Sequence, residues 1–295
     1  MNRRGFLKTL GLAGATVACP RMSGAAEPES GVEPYGILVD TTLCAGCNSC
    51  TYACAEANGL PEPEDPEAVT KPTTDQWTAV KTWKTSKGDV SVKRQCMHCV
   101  SPACHSACLT SALDKTAEGP VVWREDKCMG CRFCMISCPF DGPKFEYSST
   151  KPRIRKCVMC ADRLRKGGEP ACVENCPEGA LTFGKRGDLL RTAHKRIADQ
   201  PDKYVDHIYG EREVGGTSWL YLAGVPFEEL GFPTDVGEKP YPELTASFLY
   251  SVPMVLTLAP ALMLGVARAT HRDEDETAGE AANDDAANGG EEERS

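Results

Sequence analysis

Apolar residues fall along this chain in short runs bounded by turn formers, with one long exception near the C-terminus. Ile37-Leu38-Val39 before Asp40 predicts a strand, and Val121-Val122-Trp123 before Arg124 predicts another in the same place relative to a later motif. Ala79-Val80-Lys81-Thr82-Trp83 and Val90-Ser91-Val92-Lys93 flank Lys87-Gly88-Asp89 and predict a hairpin, its glycine permitting the turn. Leu189, Leu190, Ala193 and Ile197 share one side of a helix expected from a capping Asp188 to about Asp199, packed against the rest of the fold. Pro61, Pro63, Pro66 and Pro72 mark a surface loop from Asn58 to Thr74. Ala246 to Ala267 is the exception: 22 residues without a charge. At 1.5 Å per residue such a helix crosses a hydrocarbon layer about 30 Å thick, and Pro253 and Pro260 are tolerated there.

Cysteine changes the picture most. Sixteen of the seventeen fall into four quartets: Cys44, Cys47, Cys50, Cys54; Cys96, Cys99, Cys104, Cys108; Cys128, Cys131, Cys134, Cys138; and Cys157, Cys160, Cys172, Cys176. The first and third read C-x2-C-x2-C-x3-C, a run in which three thiolates hold one [4Fe-4S] cube and the fourth reaches a neighbouring cube. The chain reads as a carrier of four [4Fe-4S] clusters. Zinc needs four sulfurs converging on one atom at about 2.3 Å. The last quartet alone could pass for a zinc ribbon, but the compact runs suit the corners of something larger. Disulfides are the other alternative, because the N-terminus points to an oxidising compartment.

Residues 1–26 read as an export signal, with Arg3-Arg4-Gly5-Phe6-Leu7-Lys8, an apolar stretch from Leu10 to Ala18, and Gly24, Ala25 and Ala26 near the cut. The arginine pair resembles a twin-arginine signal, which implies export of a folded, cofactor-loaded protein whose thiolates meet iron before an oxidant. Removing it also removes Cys19.

The net charge of -9 divides unevenly: residues 1–25 carry +4 and residues 268–295 carry -7. Residues 268–295, rich in Asp, Glu, Ala, Asn and Gly, are expected to be a disordered acidic tail. Arg268 and Arg272 follow the apolar stretch, so the tail is expected inside and the cluster domain outside. No basic patch argues for nucleic acid. Only 7% of residues are aromatic, and metal–thiolate bonds can supply folding free energy in place of a large core.

A unit of strand, polar turn, C-x2-C, helical turn and second strand recurs, and Cys108 to Leu113 mirrors Cys176 to Leu181. With the signal, the phrase Gln95-Cys96-Met97-His98-Cys99, Tyr209-Gly210-Glu211, Gly215-Gly216-Thr217 and Leu222-Ala223-Gly224-Val225-Pro226, the chain resembles the four-cluster ferredoxin subunits of membrane-bound respiratory oxidoreductases, nearest the HybA-type branch of hydrogenase-2. The resemblance implies an α+β fold over residues 27–245 with two ferredoxin-like lobes of two clusters each, then a transmembrane helix over 246–267.

It also implies the ligand sets. Cys44, Cys47, Cys50 and Cys176 hold one cluster; Cys96, Cys99, Cys104 and Cys138 a second; Cys128, Cys131, Cys134 and Cys108 a third; Cys157, Cys160, Cys172 and Cys54 a fourth. His98 and His105 lie within the second quartet, where hydrogen bonding to cluster sulfur or plain packing is expected rather than ligation. Arg153, Arg155, Lys156, Arg163, Arg165 and Lys166 border the fourth quartet and either offset cluster charge, dock a partner, or form a solvated face.

The expected role is non-catalytic electron transfer, since no dinucleotide fingerprint or nucleophile constellation is present. The partners implied are the small and large subunits of a nickel-iron hydrogenase, a quinone-reactive integral membrane subunit, and inner-membrane lipid around the span, with the clusters in the periplasm. The alternatives are the same conduit serving a molybdopterin oxidoreductase, such as a formate dehydrogenase or a sulfur-oxyanion reductase, and a disulfide-stapled, membrane-anchored binding protein.

Overall fold

The computed structural model describes residues 33–288. The export signal expected over 1–26 lies outside the described residues. In chain order the elements are β1 (Tyr35–Asp40), α1 (Ser49–Asn58), β2 (Ala79–Thr85), β3 (Gly88–Arg94), α2 (Ala103–Ser106), β4 (Leu113–Lys115), β5 (Val121–Trp123), α3 (Phe133–Ile136), β6 (Lys144–Phe145), β7 (Ile154–Arg155), α4 (Ala161–Arg165), α5 (Ala171–Glu174), β8 (Leu181–Lys185), α6 (Arg186–Asp199), β9 (Trp219–Leu222) and α7 (Tyr241–Asn288).

Strand β1 is the centre of a three-stranded sheet. It pairs antiparallel with β8, Ile37 opposite Phe183, and parallel with β9, Ile37 opposite Trp219. Because strand side chains alternate, its two faces serve different cores. Ile37 and Val39 join Trp219, Tyr209, Tyr221, Phe227 and Phe232 on the face nearer the cysteines. Leu38 joins Leu220 and Leu222 beneath Leu189, Ala193 and Ile197 of α6. A smaller core gathers Leu113, Val121 and Ile154 with Cys104 and Cys134.

The sheet explains how distant quartets meet. β1 leads into the first quartet and β8 leaves the fourth, so their pairing draws both to one end. The antiparallel pair β4–β5 does the same for the second and third. A turn over residues 117–120 joins β4 to β5, with Gly119 at φ +118°.

Two local expectations are corrected. The hairpin strands run on to Thr85 opposite Gly88, so the turn is Ser86-Lys87 and Gly88 (φ +108°) opens β3. Helix α6 begins at Arg186, not after a capping Asp188. Its exposed N-terminal N–H groups find a distant acceptor instead, the Gly187 N–H donating to Glu33 Oε1 at 2.8 Å, while Asp188 sits in the first turn, where the helix dipole favours a carboxylate. Helix α7 begins at Tyr241 and includes the whole apolar stretch to Ala267. Its backbone continues to Asn288, through residues whose composition predicts disorder. Alanine and glutamate are strong helix formers, and extending an existing helix needs no new nucleus.

Within α7, Tyr241–Arg268 has mean hydropathy 1.8 and is not buried by the rest of the chain. By length and composition it can cross a membrane. Its backbone passes close to α2, in the second quartet.

Candidate metal centres

Each C-x2-C loop adopts one backbone form. Its third residue is left-handed in all four quartets: Gly46 at φ +73°, His98 at +49°, Gly130 at +73° and Met159 at +50°. A left-handed residue in a tight turn directs successive N–H groups into one concavity, the arrangement that receives anions, including iron–sulfur groups. A second repeat follows three of the fourth cysteines, where Ser111, Asp141 and Gly179 are left-handed three residues on, at φ +53°, +52° and +62°. The first quartet departs from this, because the ten-residue α1 continues past Cys54 to Asn58 and ends at a left-handed Gly59.

Sulfur receives donors from this backbone. Ala112 N–H donates to Cys108 Sγ at 3.2 Å, Gly142 N–H to Cys138 Sγ at 3.4 Å and Met159 N–H to Cys157 Sγ at 3.3 Å. At Gly142 a Cβ would stand 3.4 Å from Cys96 Sγ and 3.6 Å from Cys138 Sγ, at ordinary contact distance from both sulfurs.

The cysteines gather by cavity. Cys44, Cys47 and Cys50 line one with Cys176; Cys128, Cys131 and Cys134 line another with Cys108; Cys157, Cys160 and Cys172 line a third with Cys54. Burial, then Cys138, Cys96 and Cys104 together, push the Cys99 thiol well above its ordinary value, which groups the remaining four. All sixteen are free thiols. Among the described residues no three His, Cys, Asp or Glu side chains converge as a single metal ion would require.

Burial dominates the thiol acidities. It pushes Cys54 and Cys104 up to about 12, and Cys134, Cys138 and Cys172 up to about 11. Such sulfurs are thiolates only when a cation compensates them, and a thiolate is the form that binds iron. Cys108 is lowered instead: desolvation is the largest single influence and raises it, but the N–H groups of Leu113, Ala112 and Thr110 and the Thr110 hydroxyl together outweigh it.

Several buried donors lack a partner among the described residues. The Trp219 indole Nε1 and the Thr78 hydroxyl are both orphaned, and both residues line the cavity of Cys54, Cys157, Cys160 and Cys172. Trp123, which lines the cavity of Cys108, Cys128, Cys131 and Cys134, also has an unpartnered Nε1. Buried polar groups are normally satisfied. A sulfide-rich group accepts hydrogen bonds, so thiols, inward N–H groups and orphaned donors together fit a [4Fe-4S] cluster.

The histidines and basic runs resolve individually. His105 Nδ1 lies 2.6 Å from the Leu113 carbonyl. His98 is fully buried, its Nδ1 accepting the Val121 N–H at 2.8 Å; burial and the Lys156 and Lys115 ammonium groups hold it well below the usual histidine range. Arg155 pairs with Glu146, Arg163 with Glu174 and Arg165 with Asp162. Lys156 alone is buried, donating to the carbonyls of Val121 and Cys157.

Sequence reasoning missed Lys93, Thr78, Trp123 and Trp219 as site residues. Lys93 reads as the polar tip of a hairpin strand, yet it is 2% exposed and lines the cavities of both Cys176 and Cys54. The available signal was its place two residues before Gln95-Cys96.

Cavities ringed by thiols and supplied with N–H donors are those of an iron–sulfur protein. Residues 90–186 match the family model of a 4Fe-4S dicluster domain. Over 276 residues the chain is 38% identical to the hydrogenase-2 operon protein HybA of Escherichia coli O157:H7, covering 79% of this chain and 84% of that protein. It is 32% identical to the iron-sulfur subunit of the nitrate-inducible formate dehydrogenase of Escherichia coli K12, over 67% of this chain and 72% of the relative. A protein of Nitratidesulfovibrio vulgaris strain Hildenborough is 44% identical over 289 residues, 93% of this chain and 78% of that one. The chain belongs to the ferredoxin-type iron-sulfur subunits of respiratory oxidoreductases.

Proposed function

We propose that the chain is the non-catalytic electron-transfer subunit of a periplasmic nickel-iron hydrogenase, relaying electrons towards a quinone-reactive membrane subunit. The observation that carries this is the exchange of fourth cysteines: Cys176 lines the cavity of Cys44, Cys47 and Cys50, and Cys54 that of Cys157, Cys160 and Cys172. On this reading the four sets each hold one [4Fe-4S] cluster, two per lobe. Bound there, such a group takes up and releases one electron at a time.

Neighbouring sulfurs supply an order. Burial, then Cys54, Lys93 and Cys96, act on the Cys157 thiol, so the set of the fourth quartet adjoins that of the second. Cys50 acts on Cys172 within one pair of sets, and Cys134 acts on Cys104 within the other. The path therefore runs from the Cys44 set through the Cys157 set and the Cys96 set to the Cys128 set. The protein's part is to hold the sulfurs, compensate their charge and exclude water around the middle two sets. Helix α7 anchors the chain in the inner membrane with the clusters on the periplasmic side, Arg268 and Arg272 staying inside.

The formate dehydrogenase relatives, 32% and 33% identical, favour one second reading, in which a molybdopterin enzyme supplies the electrons. Native membranes discriminate: hydrogen should bleach the visible iron–sulfur absorption of this subunit, and formate should not. Bleaching by formate and not by hydrogen would overturn the hydrogenase assignment in favour of the second reading.

A further inference from the structure

Lys93 lies where two cavities meet, one lined by Cys44, Cys47, Cys50 and Cys176, the other by Cys54, Cys157, Cys160 and Cys172. Among the described residues no carboxylate forms an ion pair with it, although it is 2% exposed. A buried charge is retained only when something compensates it. Its ammonium is also fixed in place. It donates to Gln95 Oε1 at 2.9 Å and stands 4.3 Å from the centre of the Trp219 ring. Gln95 Nε2 in turn donates to the Tyr221 hydroxyl at 2.6 Å, and that hydroxyl donates to the Lys93 carbonyl at 3.0 Å. The closed circuit leaves the ammonium donors not used by Gln95 facing the sulfur-lined space.

We propose that Lys93 is the shared counter-charge of these two cysteine sets, raising the reduction potential of both, and that the Trp219 N–H and Thr78 hydroxyl add a further increment at the Cys54 set alone. The physical basis is that reduction adds an electron to an already anionic group. A fixed cation favours the more negative state, and hydrogen bonds to sulfur act in the same direction. Proximity divides the effects: Lys93 lines both cavities, whereas Trp219 and Thr78 line only that of Cys54. Lys93, Thr78 and Trp219 are thus positioning residues that tune the centres without ligating them.

This inference rests on the reading that both sets hold clusters, and the experiment separates the two. Full-length protein is purified anaerobically, its iron is counted, and the centres are titrated by potentiometric electron paramagnetic resonance. Lys93→Met should make two of the four centres at least tenfold harder to reduce at a fixed potential, equivalent to 59 mV for a one-electron couple, and leave the other two unmoved. Lys93→Arg, which keeps the charge, should recover most of the change, and Trp219→Phe should move one centre of the same two. Should Lys93→Met lose iron, Gln95→Glu neutralises the ammonium in place and should shift the same pair. Wild-type protein without its full iron would overturn the four-cluster reading. Full iron with unmoved potentials in Lys93→Met, or in Gln95→Glu where the first variant does not load, would overturn this inference.

Discussion

Gly46 and Gly130 occupy the third position of two C-x2-C loops 84 residues apart and share a φ of +73°. Around Gly130 nothing stands within 4 Å of where a Cβ would be, whereas at Gly46 it would lie 2.6 Å from Ser91 Oγ. Gly130→Ala should therefore cost about 1–2 kcal/mol, from backbone strain alone. Gly46→Ala should cost more, because Ser91 must also move. Thermal unfolding of the iron-loaded variants checks the ranking; equal losses would mean that the hairpin yields freely.

The Asp40 carboxylate, 1% exposed, ends β1 and accepts from the Tyr204 hydroxyl at 2.7 Å and from Arg196 Nη1 at 3.2 Å. It ties the strand leading into the first quartet to the chain that follows α6. Tyr204→Phe removes one hydrogen bond to a buried charge and should destabilise the fold by about 1.5–3 kcal/mol. Denaturant midpoints at matched iron content read this out. No change would show that Arg196 and Thr42 satisfy Asp40 without the tyrosine hydroxyl.

The ligand sets make a pairing prediction. Cys176→Ser and Cys44→Ser should each alter the same centre in electron paramagnetic resonance, since both residues line one cavity, while Cys54→Ser should alter the centre that Cys157→Ser alters. If Cys176→Ser instead perturbed the centre of Cys157, each quartet would bind its own cluster.

Much of this was legible in sequence because cysteine spacing is covalent arithmetic. The strand at Ile37–Asp40, the hairpin and the buried stripe Leu189, Ala193 and Ile197 were legible through periodicity. Strand β9 was not. Trp219-Leu220-Tyr221-Leu222 is buried on both faces and shows no alternation, and its parallel partner β1 lies far back in the chain. Lys93 was missed as a site residue for a related reason. A charged residue in a strand ordinarily marks a solvent face, and only the convergence of two cavities shows why this one is inside. The quoted phrases 209–211 and 215–217 are likewise structural: Arg186 Nε donates to the Thr217 carbonyl at 2.7 Å, pinning that segment to α6.

The anchor can be tested by truncation. Every cysteine of the four sets precedes α7, so a chain ending near Leu244 should retain its iron yet leave the membrane when expressed without partner subunits, because about 20 apolar residues are needed to hold a single span. Retention of the truncated chain after a high-salt wash would show that another surface binds the membrane.

The central claim is that sixteen cysteines hold four [4Fe-4S] clusters, and counting iron tests it most directly. Anaerobically purified full-length protein should contain about sixteen irons and about as many acid-labile sulfides per chain. A value near eight after full reconstitution, or a colourless, iron-free protein, would contradict the account.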